Sequence, residues 1–263
     1  ISDEASKRGL DFQLAIWTQK YDFDEVPNAN YQIKNVPINY AEYCRDSLEI
    51  ILNTCSNING LTLRVHVECG ILERDYNFWK IYLKAVKNIK RKINIDLHAK
   101  GINNKLINLA LEVTQNVTVS PKYTAEHMGL PYHQASIRKQ EMPPKNKVHK
   151  KCFFSEGKRK FLRYSYGDLL SNKRKYGILF RIWPGTQRVL IWGDPDLARG
   201  YGEHSTFCNA LGVELCEPLS FKGRMGTGIK NGRFNYSVKK LRTKYDWEKY
   251  LYTYRVWGRC TYN

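Results

Sequence analysis

Three segments of the chain repeat one arrangement of apolar and polar positions. Each begins with an apolar run suited to a strand, continues into ionisable side chains at the end of that run, and leads into the next segment. The runs begin near residues 61, 92 and 117, and between them apolar residues recur every three or four positions over 76–89 and 102–113. Such periodicity is typical of helices that bury one face. The order predicts parallel strands joined by crossover helices.

The same reading extends to both sides of these three segments. Upstream, it predicts a strand over 10–17 and a helix over 40–55. Downstream, it predicts strands over 161–170, 177–183 and 212–220, a helix over about 196–211 and a last helix within 246–263. About seven strands in βα order are close to the eight of a TIM-type barrel. We therefore predict an α/β fold, a (β/α)8 TIM-type barrel that is incomplete, as a single domain over 1–263.

Composition sets the outer bounds of this prediction. A chain of 263 residues, of which 42% are hydrophobic, is long enough for one α/β barrel. No segment is apolar for the 18 or more residues of a membrane span, so none is predicted. The chain begins at Ile1 without an initiator methionine, and we expect a fragment truncated at both ends. Localisation and oligomeric state are left open.

The chain is strongly basic, with 43 Lys and Arg against 25 Asp and Glu and a net charge of +18. Such a surface attracts polyanions. The basic residues are spread in short groups, and no helix-turn-helix, RNP, KH or zinc-finger motif is present, so no specific nucleic-acid partner is predicted. No cofactor is predicted either, because the chain lacks a GxGxxG after a strand and a GxxxxGK[ST] loop.

Polar and aromatic side chains cluster where the predicted strands end. Because parallel strands joined by helices place their carboxyl ends on one face, these clusters should converge on a single cleft. The first three strand ends carry His66 and Glu68, then Asp96 and His98, then Lys122, Tyr123, Glu126, His127, Tyr132 and His133. Later strand ends carry Arg163 and Tyr166, Arg181 and Trp183, and Glu214 and Glu217. This convergence indicates an enzyme.

Several blocks of the sequence suggest a family. The segments SPKYTAEHMGLPYHQASIR, RYSYGDLL, FRIWPGTQRVLIWGDP, GVELCEPLSFKGR and WEKYLYTYRVWGR resemble bacterial TIM-barrel carbohydrate-active proteins described as α-glucuronidase-like glycoside hydrolases. The resemblance spans nearly the whole chain, and the EHMGLPYHQ and IWPGTQR blocks are its most distinctive parts. It implies a barrel that acts on carbohydrate.

The chemistry of glycoside hydrolysis selects among the clustered residues. The reaction needs one protonated carboxyl group for the leaving group and one ionised carboxylate as nucleophile or base. We predict Glu126 and Glu217 as this pair, with Glu68 as the next candidate. The other strand-end residues, together with Trp17, would bind the sugar through flat aromatic faces and charged donors: His66, Asp96, His98, Lys122, Tyr123, His127, Tyr132, His133, Arg163, Tyr166, Arg181, Trp183 and Glu214. So many cations suit an acidic sugar, including uronic-acid-containing polysaccharide.

Two alternatives stay open at this point. In the first, His66, Glu68, Asp96 and His98 bind Zn²⁺ or Mn²⁺ in a metal-dependent lyase, isomerase or hydrolase, since His-x-Glu and Asp-x-His place same-side ligands on neighbouring strands. In the second, the barrel binds a carbohydrate or another polyanion without turning it over.

Overall fold

The computed structural model describes residues 1–19, 37–66, 69–72, 74–99, 102–121, 174–182, 193–203, 210–215, 238, 240, 248 and 251–262. Within them the chain forms α1 (Ser2–Ser6), β1 (Phe12–Ile16), α2 (Tyr40–Thr54), β2 (Ile58–Leu63), α3 (Tyr76–Tyr82), α4 (Lys84–Asn88), β3 (Asn94–His98), α5 (Asn104–Leu111), β4 (Val117–Ser120), β5 (Gly177–Ile182), α6 (Pro195–Glu203), β6 (Ala210–Leu215) and α7 (Leu251–Cys260). The strands follow sequence order in one six-stranded sheet. Two compact units divide the chain, residues 1–121 with 136–178 and residues 122–135 with 179–263.

The sheet of the first unit has two chemically different faces. Its strands β1 to β4 and the start of β5 pair in parallel. One face carries two apolar rows across the strands, Leu14–Leu61–Ile95–Val117 and Ile16–Leu63–Leu97–Val119. The opposite face carries Ala15, Thr62, Asp96 and Thr118 in one row. Because successive side chains alternate between faces, this single register separates the apolar core from the polar face.

Helices α2 to α5 supply the rest of the core of the first unit. Helix α2 packs on α3 and α4, and α3 packs on α5. Their buried positions include Leu48, Leu52, Trp79, Tyr82 and Ile107. This core confirms the helical periodicity, although the segment predicted as one helix over 76–89 is divided by Leu83 into α3 and α4.

Local capping explains where several helices begin. The Asp75 side chain accepts the backbone N–H of Phe78 at 3.0 Å, and Asn103 accepts that of Leu106 at 3.0 Å. Asp194 does the same for Leu197 at 3.1 Å at the start of α6. Each cap satisfies an N–H group that has no partner inside its own helix. These caps stabilise the first turns of α3, α5 and α6.

The second unit has its own aromatic core. Phe180 in β5 contacts Tyr201 of α6 edge-on at 5.2 Å between ring centroids, and Tyr201 contacts Trp257 of α7 at 5.7 Å. All three side chains are buried. The last helix, predicted within 246–263, therefore packs on α6 through Trp257.

The fold prediction is confirmed at the level of an α/β chain with a parallel sheet in sequence order. The six-stranded sheet of the described residues is consistent with the predicted incomplete barrel, while its assignment as a TIM-type (β/α)8 barrel stays a prediction, as does the single-domain boundary. The strand predicted over 161–170 lies outside the described residues. The helix predicted over 196–211 was wrong at its end, since α6 stops at Glu203 and 210–215 forms β6. Among the described helices, none is long and apolar enough to cross a membrane.

Candidate active site at the strand ends of the first unit

The carboxyl ends of β1 to β4 carry one row of polar and aromatic side chains. Ile16, Leu63, Leu97 and Val119 form the last apolar row of the sheet. The next residue on each strand path is Trp17, Arg64, His98 or Ser120, and His98 and Ser120 are register partners. We call these four residues the terminal row. Alternation places them on the same face as Asp96, two residues back along β3.

Asp96 anchors the layer directly below the terminal row. Its Oδ1 atom accepts a hydrogen bond from the Thr118 hydroxyl at 2.8 Å and another, shorter one from the Ser120 hydroxyl. Asp96 is only 1% exposed and Ser120 is fully buried. Hydroxyl donors on a buried carboxylate favour its ionised form and offset the cost of its burial. The pair of hydrogen bonds therefore ties β3 to β4 just below the site.

A glycine makes room for a related contact on β1 and β2. The Gln13 side chain lies across Gly60, where an added Cβ would come within 2.8 Å of the Gln13 Oε1. From there the Gln13 amide donates to the Thr62 hydroxyl at 2.5 Å. Side-chain hydrogen bonds on the polar face thus join β1 to β2 and β3 to β4.

The terminal row is built around the indole of Trp17. The Arg64 guanidinium lies over this ring, 5.1 Å from its centroid, as in a cation–π contact. The His98 imidazole lies 5.4 Å from the indole at an interplanar angle of 52°. Trp17 and Arg64 are partly exposed, whereas His98 is 1% exposed. The row therefore presents an aromatic ring and a cation at the surface and an imidazole beneath them.

A groove opens beside the starts of α2 and α3 in the same unit. It has a volume of about 350 Å³, and its lining includes Tyr40, Glu42, Leu72, Asp75 and Phe78. The Tyr40 hydroxyl donates to the backbone carbonyl of Gln19, two residues beyond Trp17. Since Asp75 already caps α3, its carboxylate is held by the helix. Through Tyr40, the groove is therefore linked to the segment that follows β1.

Two residues predicted to bind substrate form an ion pair in the second unit. Arg181 of β5 donates through Nε at 3.0 Å and Nη2 at 2.8 Å to the same Oε2 atom of Glu214 in β6. Arg181 is 1% exposed, and the Glu214 side chain is 35% exposed. A sugar carboxylate that reached Arg181 would have to compete with Glu214 for the guanidinium.

Of the other predicted site residues, the structure brings Asp96 and His98 together on β3. Because β2 stops at Leu63, the buried His66 lies three residues beyond the strand, in the following loop, where its carbonyl accepts the N–H of Cys69. Its role in the site stays a prediction. The remaining predicted residues lie outside the described residues: Glu68, Lys122, Tyr123, Glu126, His127, Tyr132, His133, Arg163, Tyr166, Trp183 and Glu217. Their roles stay predictions.

Sequence reasoning missed Arg64, Thr118 and Ser120. The signal was present in the alternation, because Arg64 is two residues after Thr62 on the same face of β2, and Thr118 and Ser120 share the phase of β4. Placing the end of β2 near residue 66 hid the position of Arg64.

The metal hypothesis finds no assembled site in the part of the chain that the structure describes. There, no three His, Cys, Asp or Glu side chains come close enough to hold a metal ion. Glu68, one of the four predicted ligands, is outside that part.

Comparisons with known proteins give a distant likeness. No family model matches the chain, and no curated protein matches it. Among solved structures, the chain is similar to a GH138 enzyme targeting pectin rhamnogalacturonan II, at 17% identity and a TM-score of 0.49 over 81% of this chain. The chain spans 29% of that protein's length. A likeness this distant does not identify the activity, and membership of the α-glucuronidase-like family stays a prediction.

Proposed function

We propose that the chain is a glycoside hydrolase that binds its sugar at the carboxyl ends of β1 to β4. The observation that carries this proposal is the terminal row, in which the Trp17 indole contacts both the Arg64 guanidinium and the His98 imidazole. A sugar ring offers a flat C–H face and a rim of hydroxyls. An aromatic surface with a few convergent polar groups matches both.

The catalytic carboxylates are proposed to be Glu126 and Glu217, with Glu68 as the next candidate. Asp96 is the carboxylate that the described strands place nearest the terminal row, but it is buried and accepts two hydroxyls from β4. That arrangement suits an anchor beneath the substrate better than a group that exchanges protons with it. General acid catalysis at Glu126 or Glu217 would contribute about 10² to 10⁴ in rate.

Acidic sugars, including uronic-acid-containing polysaccharide, are the proposed substrates. Arg64 is the partly exposed cation of the terminal row, and a sugar carboxylate would form a charge-assisted hydrogen bond with its guanidinium. Arg181, the cation first expected in this role, is bound to Glu214 instead. Because Arg64 is partly exposed and Arg181 is only 1% exposed, Arg64 is the more accessible candidate for this role.

The test compares binding and turnover in matched variants. Wild-type protein is assayed for reducing sugar released from acidic and neutral polysaccharides, beside Trp17→Ala, Trp17→Phe and Glu126→Gln. We expect Trp17→Ala to lower kcat/KM about tenfold, the loss of roughly one aromatic contact, and Trp17→Phe to recover part of it. Glu126→Gln should remove most turnover and keep sugar binding.

Three results would contradict the proposal in different ways. Sugar binding without turnover in the wild type would indicate a non-catalytic carbohydrate-binding barrel. Turnover lost to a chelator and restored by Zn²⁺ or Mn²⁺ would indicate the metal-dependent alternative. Unchanged turnover in Trp17→Ala would refute the proposed role of the terminal row in substrate binding.

A further inference from the structure

A stripe of lysines begins on the outside of α3 and α4, on the opposite side from their buried face, and continues past the end of α4 at Asn88. Its members are Lys80, Lys84, Lys87, Lys90 and Lys92, and all are exposed. The segment 76–92 that contains them has no Asp or Glu. We call these residues the lysine stripe.

The backbone keeps the three helical lysines of the stripe on one face. Leu83, between α3 and α4, has φ −67° and ψ −14°, which are helical angles, so the helical path continues through it. Trp79, Tyr82 and Val86 are buried. Lys80, Lys84 and Lys87 recur at intervals of four and three between these positions, which spaces their stems by about 4.5 to 6 Å along the helix axis. Lys90 and Lys92 follow α4 in the connection to β3.

The ammonium groups of the lysine stripe have no carboxylate partners among the described residues. No ion pair joins any of the five to a described acid. The nearby Glu49 of α2 accepts a hydrogen bond from the Asn88 amide at 2.9 Å. Like charges three or four residues apart on a helix repel, so the stripe is held against an electrostatic cost that a bound polyanion would remove.

The neighbouring Arg91 shows the contrast between structural and free cations. Its guanidinium donates to the backbone carbonyls of Leu52 at 2.9 Å and Cys55 at 3.3 Å, at the end of α2, and also to that of Ile58. Arg91 is therefore committed to holding the turn before β3 against α2. The lysines on either side of it have no such structural task.

We propose that the lysine stripe binds the backbone of an acidic polysaccharide, away from the terminal row. Two features favour a polysaccharide over a nucleic acid. The aromatic side chains of the segment at Phe78, Trp79 and Tyr82 are buried and cannot stack on bases, as single-strand binders require. The stripe also consists of lysines, whereas arginine is the residue of choice for nucleic-acid recognition, and the one arginine nearby is engaged in the fold. The identity of the polyanion as a polysaccharide rests on the proposed function.

The experiment uses sodium polygalacturonate as the probe and affinity electrophoresis at low and high sodium chloride as the readout. Lys84→Glu/Lys87→Glu should weaken binding at least about tenfold at low salt and reduce the salt dependence, because contacts that displace counterions are lost. Lys84→Gln/Lys87→Gln should lie between it and the wild type. The matched control is Lys7→Glu/Lys175→Glu, which makes the same charge change at exposed lysines outside the stripe and should bind nearly as the wild type does.

The outcomes separate this inference from the proposed function. Equal losses of polygalacturonate affinity in the stripe and control variants would show an effect of net charge alone and overturn the proposal of a binding site at the lysine stripe. Double-stranded DNA that bound more tightly than polygalacturonate at the same salt, through the same lysines, would overturn the polysaccharide assignment. For Lys84→Glu/Lys87→Glu, we expect loss of polygalacturonate binding with unchanged hydrolysis of a short aryl glycoside. Polygalacturonate binding that depends on the lysine stripe, in a protein without any hydrolase activity, would support the stripe as a binding site and refute the proposed hydrolase function.

Discussion

The substitution Thr118→Val tests the hydrogen bonds beneath the terminal row. Valine has the shape of threonine without its hydroxyl, so the change leaves no cavity and removes only the 2.8 Å hydrogen bond to the Asp96 carboxyl group. Valine also favours strands, so any loss of stability must come from that bond. A hydrogen bond to a charged group contributes about 1.5 to 3 kcal/mol. Thr118 is only half-buried and Ser120 still donates to Asp96, so we expect the lower end, about 1.5 kcal/mol.

The free energy of unfolding is measured by urea denaturation of the wild type and three variants. Thr118→Ser keeps the hydroxyl and should lose much less stability than Thr118→Val. Ser120→Ala removes the donor that is fully buried and should lose at least as much. The slope of the free energy with urea should stay the same, since the surface exposed on unfolding is unchanged. A Thr118→Val protein within about 0.5 kcal/mol of the wild type would refute the anchoring role of Asp96.

Two further predictions concern packing and alkaline pH. Gly202→Ala should cost about 1 to 3 kcal/mol, because its Cβ would lie 2.6 Å from the backbone oxygen of Thr261, whereas Gly258→Ala in α7 meets no atom within 4 Å and should stabilise the protein by about 0.5 to 1 kcal/mol. Thermal unfolding compares the two, and a shift of the same sign in both would contradict this account. Burial raises the pKa of the Tyr82 hydroxyl, so its contribution to stability is complete below about pH 10, the ordinary tyrosine value, and is lost as the pH rises toward the folded value. Tyr82→Phe should therefore flatten the fall in unfolding free energy above about pH 10, and the exposed Tyr43→Phe should not; identical profiles for both would refute the assignment.

The strand order could be predicted from the sequence because the two faces of each strand differ so sharply. Leu61, Leu63, Ile95 and Leu97 alternate with polar partners, and a period of two with short helical segments between strands leaves few other topologies. Strand ends were harder to predict. The run from Leu61 to Val67 continues the apolar alternation past Leu63, so nothing local marks where pairing with β1 stops.

The site was only partly predictable for a related reason. Asp96 and His98 carry visible chemistry and lie on a well-marked strand, so their position followed from alternation. The partners of Asp96 are hydroxyls on β4, and a Ser or Thr within a strand resembles any other strand residue until the register is known. The pairing of Arg181 with Glu214 likewise depends on contacts more than thirty residues apart in sequence, which periodicity does not encode.

The division of the sheet into an apolar and a polar face also restricts how the chain can misfold. Parallel strands must find partners that are distant in sequence, so pairing is slow and errors of alignment are the main hazard. If β3 shifted by one residue, Asp96 and His98 would turn toward the helices, and Ile95 and Leu97 would turn toward Thr62 and Thr118. An uncompensated buried carboxylate costs several kcal/mol, which disfavours the shifted pairing. The side chains proposed to hold a sugar thus also select the correct alignment during folding, and replacing them with apolar residues would remove a safeguard of assembly together with the site.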